Sequence, residues 1–323
     1  MTRLSSLQAQ LRLPAAIEVH LTNDFDAAAT KHRFGSAETE RKLDCLRAYL
    51  AAYSTALSKQ NFSRIYVDAF AGTGDRTETR PSLPYFFTGV PEQLEEITTP
   101  GSARIAIETN PAFHSVVLIE NDPKKVAALK VIAAEYPDRR VQVRAGDANA
   151  IVKRICQRFD WHRERIRGVV FLDPYGMEVD WTTVEAIART KALDCWYFFP
   201  LSGLYRNAPH DPLKLDANKI DALNRVFGTD RWMTEWYEER AQARDLLGDV
   251  IVEHRRVADV DRIEGWVHDR LRTVFKGAVL KPLRLKHPGG APMASLFFAV
   301  SNDRPSAVRV ASDIASHILL TSA

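Results

Sequence analysis

Apolar residues recur along this chain with two different spacings. Between residues 43 and 57 ("LDCLRAYLAAYSTAL") they return every three or four positions, which predicts a helix with one apolar face. Five shorter runs are rich in β-branched and aromatic residues and end near glycine, proline or acidic residues, as buried strands do. These runs are "RIYVDAF" (64–70), "SVVLIEND" (115–122), "RVQVRAGDAN" (140–149), "GVVFLDPYG" (168–176) and "LDCWYFFP" (193–200).

Segments with helical spacing separate the last four of these strands. They are "PKKVAALKVIAAEY" (123–136), "AIVKRICQRFDWHRERI" (150–166) and "WTTVEAIARTKA" (181–192). Strands that alternate with helices imply right-handed crossovers and therefore a parallel sheet. The sequence predicts an α/β fold, Rossmann-like, with a doubly wound and mostly parallel sheet.

The remaining segments predict additions to this sheet. Residues 1–60 are predicted as an N-terminal helical segment, and 61–323 as the α/β domain, with a mainly helical insertion at about 201–276. Two late strands, "GAVLKPLRLKH" and "APMASLFFAVSN", flank a "PGG" turn, which predicts an antiparallel hairpin. Between residues 75 and 100 the sequence contains several prolines and predicts a long irregular loop.

Composition narrows the class of protein without defining its activity. With 46% hydrophobic residues, the chain can bury a large core. The N-terminus lacks the apolar core of a signal peptide and no run is long enough to cross a bilayer, so we expect a cytoplasmic protein with no membrane partner. The three cysteines, Cys45, Cys156 and Cys195, are scattered, which predicts buried or idle thiols.

In an open parallel sheet, ligands bind at the carboxyl ends of the strands. The residues that leave those ends are Asp68 to Gly74, Glu120 to Asp122, Gly146 to Ala148, and Asp173 to Gly176. The first place carries glycines, and the other three carry carboxylates. These four places are therefore the candidate site.

The stretch "YVDAFAGTG" joins the first strand to a glycine turn. Gly72 and Gly74 would let the backbone pass close under a small molecule. Neither the G-x-G-x-x-G dinucleotide fingerprint nor a phosphate-binding P-loop is present. The stretch resembles the first motif of S-adenosylmethionine-dependent methyltransferases, in the variant with Phe in place of the first glycine. The resemblance implies cofactor contacts from Asp68, Phe70, Ala71, Gly72 and Gly74, whereas the alternative is a tight turn without a ligand.

Acidic residues at two further strand ends suit the same cofactor. A ribose needs a carboxylate to accept its hydroxyl protons, and Glu120 leaves the second strand where that acceptor lies in this fold. Asp122 is included as a neighbouring candidate, although a helix cap explains it better. Asp147, with Ala148, is predicted to receive the adenine amino group, and the alternative for Asp147 is an Asx turn.

The fourth strand ends in "FLDPYG", which suggests where an acceptor would bind. The motif resembles [DNS]-P-P-[YFW] of amino-methyltransferases, and more closely D-P-[FY]-G of enzymes that dimethylate a guanine amine in transfer RNA. Asp173 and the Pro174 carbonyl would accept the two N–H bonds of an amine, and Tyr175 would stack on a base. A strand-ending turn with a buried Tyr175 is the alternative.

Two other chemistries have little support in the sequence. Methylation of cytosine C5 needs a nucleophilic cysteine near the fourth strand, and none of the three is placed there. The nine histidines form no H-E-x-x-H or Cys/His cluster, so we expect no metal site.

Several motifs together resemble the three-Cys-motif partner protein family across residues 31–301. The matching stretches are "KLDCLRAYL", "YVDAFAGTG", "GSARIAIE", "IENDP", "GDAN", "FLDPYGMEVDWTTVEAIA" and "GAPMASLFFAVSN". The resemblance implies a class I methyltransferase fold, S-adenosylmethionine as cofactor, and a three-Cys-motif protein as a partner. It does not identify the acceptor.

Two functions remain open at this stage. The first is methylation of an amino group, with a nucleic-acid base as substrate. The basic stretches 153–168 and 254–287 would then border the pocket, and Tyr85, Phe86 or Phe87 would cover the base. Solvated helix faces explain the basic stretches equally well. The second function is a non-catalytic cofactor-binding protein that regulates its partner.

Overall fold

A computed structural model describes residues 23–81, 94–244 and 250–322 of the chain. The strands, numbered in chain order, are β1 (Ser63–Asp68), β2 (Asp75–Pro81), β3 (Leu94–Pro100), β4 (Ser115–Glu120), β5 (Val141–Ala145), β6 (Ile166–Leu172), β7 (Leu193–Phe199), β8 (Tyr237–Arg244), β9 (Val250–Arg256), β10 (Ala278–Val279), β11 (Leu283–Lys286) and β12 (Pro292–Val300). The helices are α1 (Asn23–Ser58), α2 (Ser102–Glu108), α3 (Pro123–Ala134), α4 (Ala148–Arg158), α5 (Trp181–Arg189), α6 (Leu201–Asn207), α7 (Ala217–Phe227), α8 (Arg231–Trp236), α9 (Val260–Arg272) and α10 (Pro305–Thr321).

Eight strands form one central sheet in the order β10-β12-β7-β6-β1-β4-β5, with β11 also paired to β12. The five strands from β7 to β5 in this order are parallel to one another. β12 runs antiparallel to β7, β10 and β11. The predicted fold class is confirmed: a mostly parallel, Rossmann-like sheet with an antiparallel C-terminal addition.

Helices cover both faces of the sheet and bury two separate apolar clusters. On one face α1, α2, α3 and α10 pack on the sheet, and the cluster includes Leu46, Tyr49 and Leu129. On the other face α4 to α9 enclose a second cluster around Ile187, Phe227 and Trp236. Because each face has its own helices, the sheet is doubly wound, as predicted.

Two segments differ from the predicted irregular or helical structure. The stretch 75–100 contains a two-stranded ribbon, in which Asp75 pairs with Pro100 and Pro81 with Leu94. The stretch 201–276 contains the expected helices and a second ribbon, β8–β9, that the polar composition did not indicate. Both ribbons form sheets separate from the central sheet. Three of their strands, β2, β3 and β8, are mainly polar, and β9 has an apolar run of only three residues, 250–252.

Smaller differences concern where single elements end. The helix predicted for 150–166 ends at Arg158, and a turn takes the chain to β6. The strand predicted for 277–287 is divided into β10 and β11 around Pro282, which has no N–H to donate to β12.

Cysteine positions agree with the expectation of idle thiols. All three cysteines are buried and free. Burial raises the pKa of the Cys156 thiol to about 12 and also raises the pKa of Cys45. A protonated, enclosed thiol is a poor nucleophile.

Among the residues that the structure describes, no helix has both the length and the apolar character needed to cross a bilayer.

We predict that α1 is part of the core of the fold. Replacing Leu50, whose side chain is fully buried against the sheet, with alanine should lower the free energy of unfolding by about 2–5 kcal/mol. Arg47, on the exposed side of α1 beside Asp44, is the control. Arg47→Ala should change stability by no more than about 0.5 kcal/mol in urea unfolding. Equal, small effects of both changes would show that α1 is not a core element.

Candidate active site

The candidate residues gather along one edge of the central sheet, which we call the carboxyl edge. It is the edge where the parallel strands β1, β4, β5, β6 and β7 end. Register places Asp68 beside Phe171 on one neighbouring strand and beside Leu118 on the other. Parallel pairing therefore brings together strand ends that lie more than a hundred residues apart in sequence.

The glycine turn follows β1 and is hydrogen-bonded to both strands that flank β1, β6 and β4. The Ala69 N–H donates to the Phe171 carbonyl at 3.0 Å, and the Ala71 N–H to the Ile119 carbonyl at 2.9 Å. Phe70 packs partly against the core, and Ala71 is buried. The turn therefore has a fixed position above the ends of β4 and β6.

The two glycines of this turn serve different purposes. Gly72 has a φ of +61°, and a Cβ added to it would meet nothing within 4 Å. Gly74 has a φ of +84°, and a Cβ there would lie 2.6 Å from Cδ1 of Ile132 on α3. Only Gly72 thus has open space for a ligand, whereas Gly74 is required by the packing of α3. The cofactor contacts predicted for both glycines remain predictions.

Glu120 links the glycine turn to the end of β4. Its Oε2 accepts the Gly72 N–H at 3.0 Å. Its Oε1 accepts the N–H groups of Asn121 and Asp122, both at 2.9 Å. These three backbone donors hold the carboxylate in one orientation at the carboxyl edge.

Asp122 and Asp147 both act as helix caps. The Asp122 carboxylate accepts the N–H groups of Lys124 and Lys125 at the start of α3, and these bonds lower its pKa. The Asp147 Oδ1 accepts the Ala150 N–H at 2.7 Å at the start of α4. The contact of Asp122 is the capping alternative considered for it, whereas Asp147 forms a helix cap and not the Asx turn considered as its alternative. The predicted cofactor contacts of both residues remain predictions.

Asp68 is the most deeply buried acid of the edge. Its side chain is fully buried and accepts the Tyr66 hydroxyl and the Phe70 N–H, both at 3.3 Å. The pKa of Asp68 is raised to about 7, mainly by burial and to a smaller extent by the nearby charge of Asp173. A hydrogen bond from Ser102 acts in the opposite direction. Asp68 is therefore poised to gain or lose a proton near neutral pH.

Asp173 has a partner that the sequence analysis did not identify. Lys42 of α1 places its Nζ 2.5 Å from Asp173 Oδ2, and the two side chains are 8% and 22% exposed. The same Nζ lies 4.3 Å from the centre of the Phe198 ring on β7. A signal was present in the sequence, because Lys42 occupies the apolar face of α1, four residues before the buried Leu46.

The other residues of the "DPYG" motif have contrasting environments. Pro174 is buried, whereas the Tyr175 side chain is 99% exposed. The alternative of a buried, purely structural Tyr175 is therefore wrong, and its ring is accessible for stacking. Tyr85, Phe86 and Phe87, predicted to cover the base, lie outside the described residues.

The basic stretches extend well beyond the carboxyl edge. Residues 153–168 follow α4 away from this edge and reach the start of β6 at the opposite edge. In the second stretch, Arg284 pairs with Asp261 and Glu264, at 2.7 and 2.8 Å. Lys281, Arg284 and Lys286 also line an open cavity of about 1030 Å³ together with Arg41 of α1. Within the described ranges, no group of three or more acidic, His or Cys side chains is suited to a metal ion.

Comparison with known proteins gives weak structural similarity. No protein-family model matches the chain, and no curated protein matches it. Among solved structures, a DUF519 protein from Legionella pneumophila is 12% identical, with a TM-score of 0.44 over 86% of this chain and 92% of that one. An S-adenosylmethionine-dependent methyltransferase from Clostridium acetobutylicum is 9% identical, with a TM-score of 0.36 over 87% and 99%. The N-terminal domain of EvdMO1, solved with S-adenosylhomocysteine bound, is 11% identical, with a TM-score of 0.36 over 78% and 79%.

Similarity at this level carries no argument about activity. The resemblance to the three-Cys-motif partner protein family also stays a prediction. The functional assignment therefore depends on the chain's own residues.

We predict that the two glycines differ in their effect on stability. Gly74→Ala should cost about 2–5 kcal/mol, because it adds a side chain at positive φ and forces it against Ile132. Gly72→Ala should cost only about 1–2 kcal/mol, because its added methyl group meets open space. Urea unfolding of both variants would show the difference. Equal losses would contradict the assignment of Gly74 to packing.

Proposed function

We propose that this protein is an S-adenosylmethionine-dependent methyltransferase that acts on an amino group, and that the acceptor is a base of a nucleic acid. The observation that carries the proposal is the combination of an open glycine turn, held by Glu120, with Asp173 on the adjacent strand end.

The residues of the carboxyl edge have the chemistry that this cofactor requires. Glu120 keeps a carboxylate beside the glycine turn, where its remaining lone pair would accept from a ribose hydroxyl. Asp147 Oδ2 has no hydrogen-bond partner among the described residues and would accept from the adenine amine. Asp68, whose pKa is raised to about 7, would be kept ionised by the cationic groups of a bound cofactor. The residues present therefore fit the cofactor.

Asp173 is the residue proposed to hold the acceptor amine. S-adenosylmethionine supplies an electrophilic methyl group when it is bound. An amine attached to an aromatic ring is a weak nucleophile, because its lone pair is delocalised into the ring. Hydrogen bonds from the amine to Asp173 and to the Pro174 carbonyl would fix its orientation and favour a pyramidal nitrogen.

A nucleic-acid acceptor is supported by the exposed aromatic residue at the motif. Tyr175 projects its ring into solvent beside Asp173, where it would stack on an extruded base. Arg41, Lys281 and Lys286, which line an open cavity together with the acids Asp261 and Glu264, are proposed to contact phosphates of a bound nucleic acid. A three-Cys-motif protein is a second proposed partner, by resemblance alone.

We predict one binding site per chain for S-adenosylhomocysteine in calorimetry. Glu120→Ala should weaken binding by about 1.5–3 kcal/mol, or about 10- to 150-fold, because it removes a charged acceptor. Asp44→Ala, which changes an exposed acid on α1, is the matched control and should bind like the wild type. If the wild type shows neither heat nor protection from thermal unfolding at millimolar ligand, the proposed function is wrong.

We predict that Asp173 is needed for methyl transfer more than for cofactor binding. With labelled S-adenosylmethionine and single-stranded oligonucleotides, Asp173→Ala should abolish transfer and keep most of the affinity for S-adenosylhomocysteine. Tyr175→Ala should lower turnover, whereas Tyr175→Phe should have a small effect because stacking uses the ring. Equal transfer by all three variants would remove this motif from the mechanism. Cofactor binding with no transfer to any oligonucleotide would favour a different acceptor or a non-catalytic, cofactor-binding partner protein.

A further inference from the structure

Lys42 makes α1 part of the acceptor site. This helix lies outside the strand ends that carry the sequence motifs. The Nζ of Lys42 is nevertheless bonded to Asp173, the carboxylate proposed to hold the acceptor amine. The ammonium also lies against the Phe198 ring and is almost fully removed from solvent. Burying an ammonium costs free energy, and its pairing with a carboxylate offsets that cost only in part.

Each partner of the ion pair keeps hydrogen-bonding capacity that no other described residue takes up. An ammonium has three N–H donors, and the bond to Asp173 Oδ2 is the one formed by Lys42 within the described part of the chain. Asp173 Oδ1 accepts no hydrogen bond from the described residues, and its side chain is partly exposed at the carboxyl edge. An available donor and an available acceptor therefore lie side by side.

A base that presents the reverse pattern would complement this pair. The Watson–Crick edges of adenine and cytosine each place an amine next to a ring nitrogen that accepts a hydrogen bond. The amine would donate to Asp173 and the ring nitrogen would accept from Lys42. On its Watson–Crick edge guanine places N1–H, a donor, beside its amine, and this donor would face the ammonium. The lone pair of guanine N3, on the other side of the amine, lies on the sugar edge next to the glycosidic bond. Uracil and thymine have no amine to methylate.

We infer that Lys42 determines specificity for the acceptor, by selecting a base whose Watson–Crick edge places the amine beside a ring nitrogen with a free lone pair, as in adenine or cytosine. This inference rests on the proposed function, since it assumes that Asp173 holds the amine that receives the methyl group. It departs from the guanine acceptor that the D-P-[FY]-G resemblance suggests. Lys42 acts here by contacting the substrate and not by transferring a proton.

The test removes the ring nitrogen and the lysine separately. Oligothymidine with one central adenine is compared with the same oligonucleotide containing 1-deazaadenine, in which a C–H group replaces N1 and the amine is kept. Oligonucleotides with cytosine and 3-deazacytosine form the second pair, and guanine is the fifth substrate. The proteins are the wild type, Lys42→Met and Lys42→Arg. Lys219→Met, which breaks an exposed lysine–aspartate pair on α7, is the matched control.

For the wild type, replacing the ring nitrogen of the methylated base should lower kcat/KM by about 5- to 150-fold, the range of one well-placed base contact. Guanine should not be methylated. Lys42→Met should be slow on the natural base and should lose the preference for it over the deaza base. Lys42→Arg, which keeps a donor, should retain part of that preference, and Lys219→Met should behave like the wild type.

The outcomes separate this inference from the proposed function. If methylation occurs but Lys42→Met discriminates between natural and deaza bases as the wild type does, the role of Lys42 is overturned and the methyltransferase assignment stands. Efficient methylation of guanine by the wild type also overturns it. If no oligonucleotide is methylated although the cofactor binds, the nucleic-acid acceptor itself is wrong, and this inference fails with it. Circular dichroism of each variant identifies losses of activity that are caused by unfolding. Lys42→Arg serves the same purpose, because it keeps a charged donor at this position.

Discussion

The parallel pairing of β1 with both β4 and β6 is the constraint on which the candidate site depends. Parallel strands end at the same edge, so residues leaving β1, β4 and β6 must lie near one another whatever their separation in sequence. The backbone of the glycine turn continues this arrangement, since Ala69 and Ala71 bond to the neighbouring strands. Glu120 then fixes the turn from the side through the Gly72 N–H. These hydrogen bonds fix the glycine turn, which limits the ordering of the backbone that ligand binding would require.

A second constraint comes from α1, which covers the sheet and reaches the carboxyl edge. Tyr49 packs on Trp196 and Phe298, with ring centres 5.4 and 4.8 Å away, and its hydroxyl donates to the buried Asp194. These contacts anchor the helix one to two turns after Lys42. The position of the ammonium beside Asp173 is therefore set by core packing. Stability and the proposed acceptor binding would be coupled in this helix, because the same apolar face carries the core residues and Lys42.

Much of the fold was accessible from the sequence for simple physical reasons. The five parallel strands are buried on both faces, and such strands read as short apolar runs that periodicity detects. The two ribbons were missed because their strands lie outside the central sheet and are mainly polar, apart from a short apolar run at 250–252 in β9. Pro282 was visible in the sequence, yet its effect on strand pairing depends on where β12 lies.

Predicting the site was harder, because its contacts join distant parts of the chain. The glycine turn and the acids of the strand ends were found by position, since each follows an apolar run. The distinct roles of Gly72 and Gly74 depend on the packing of α3, which no local pattern reports. Lys42 is separated from Asp173 by 131 residues, and its pairing required the docked position of α1.

The most direct test of the proposed site is a structure determined with S-adenosylhomocysteine bound. We expect the ligand at the carboxyl edge, passing over the Gly72 backbone, with a ribose hydroxyl on Glu120 and its adenine amine near Asp147. Its sulfur should face the Asp173 carboxylate. A ligand bound elsewhere, or bound at this edge without contact to Glu120 and with its sulfur turned away from Asp173, would contradict the account.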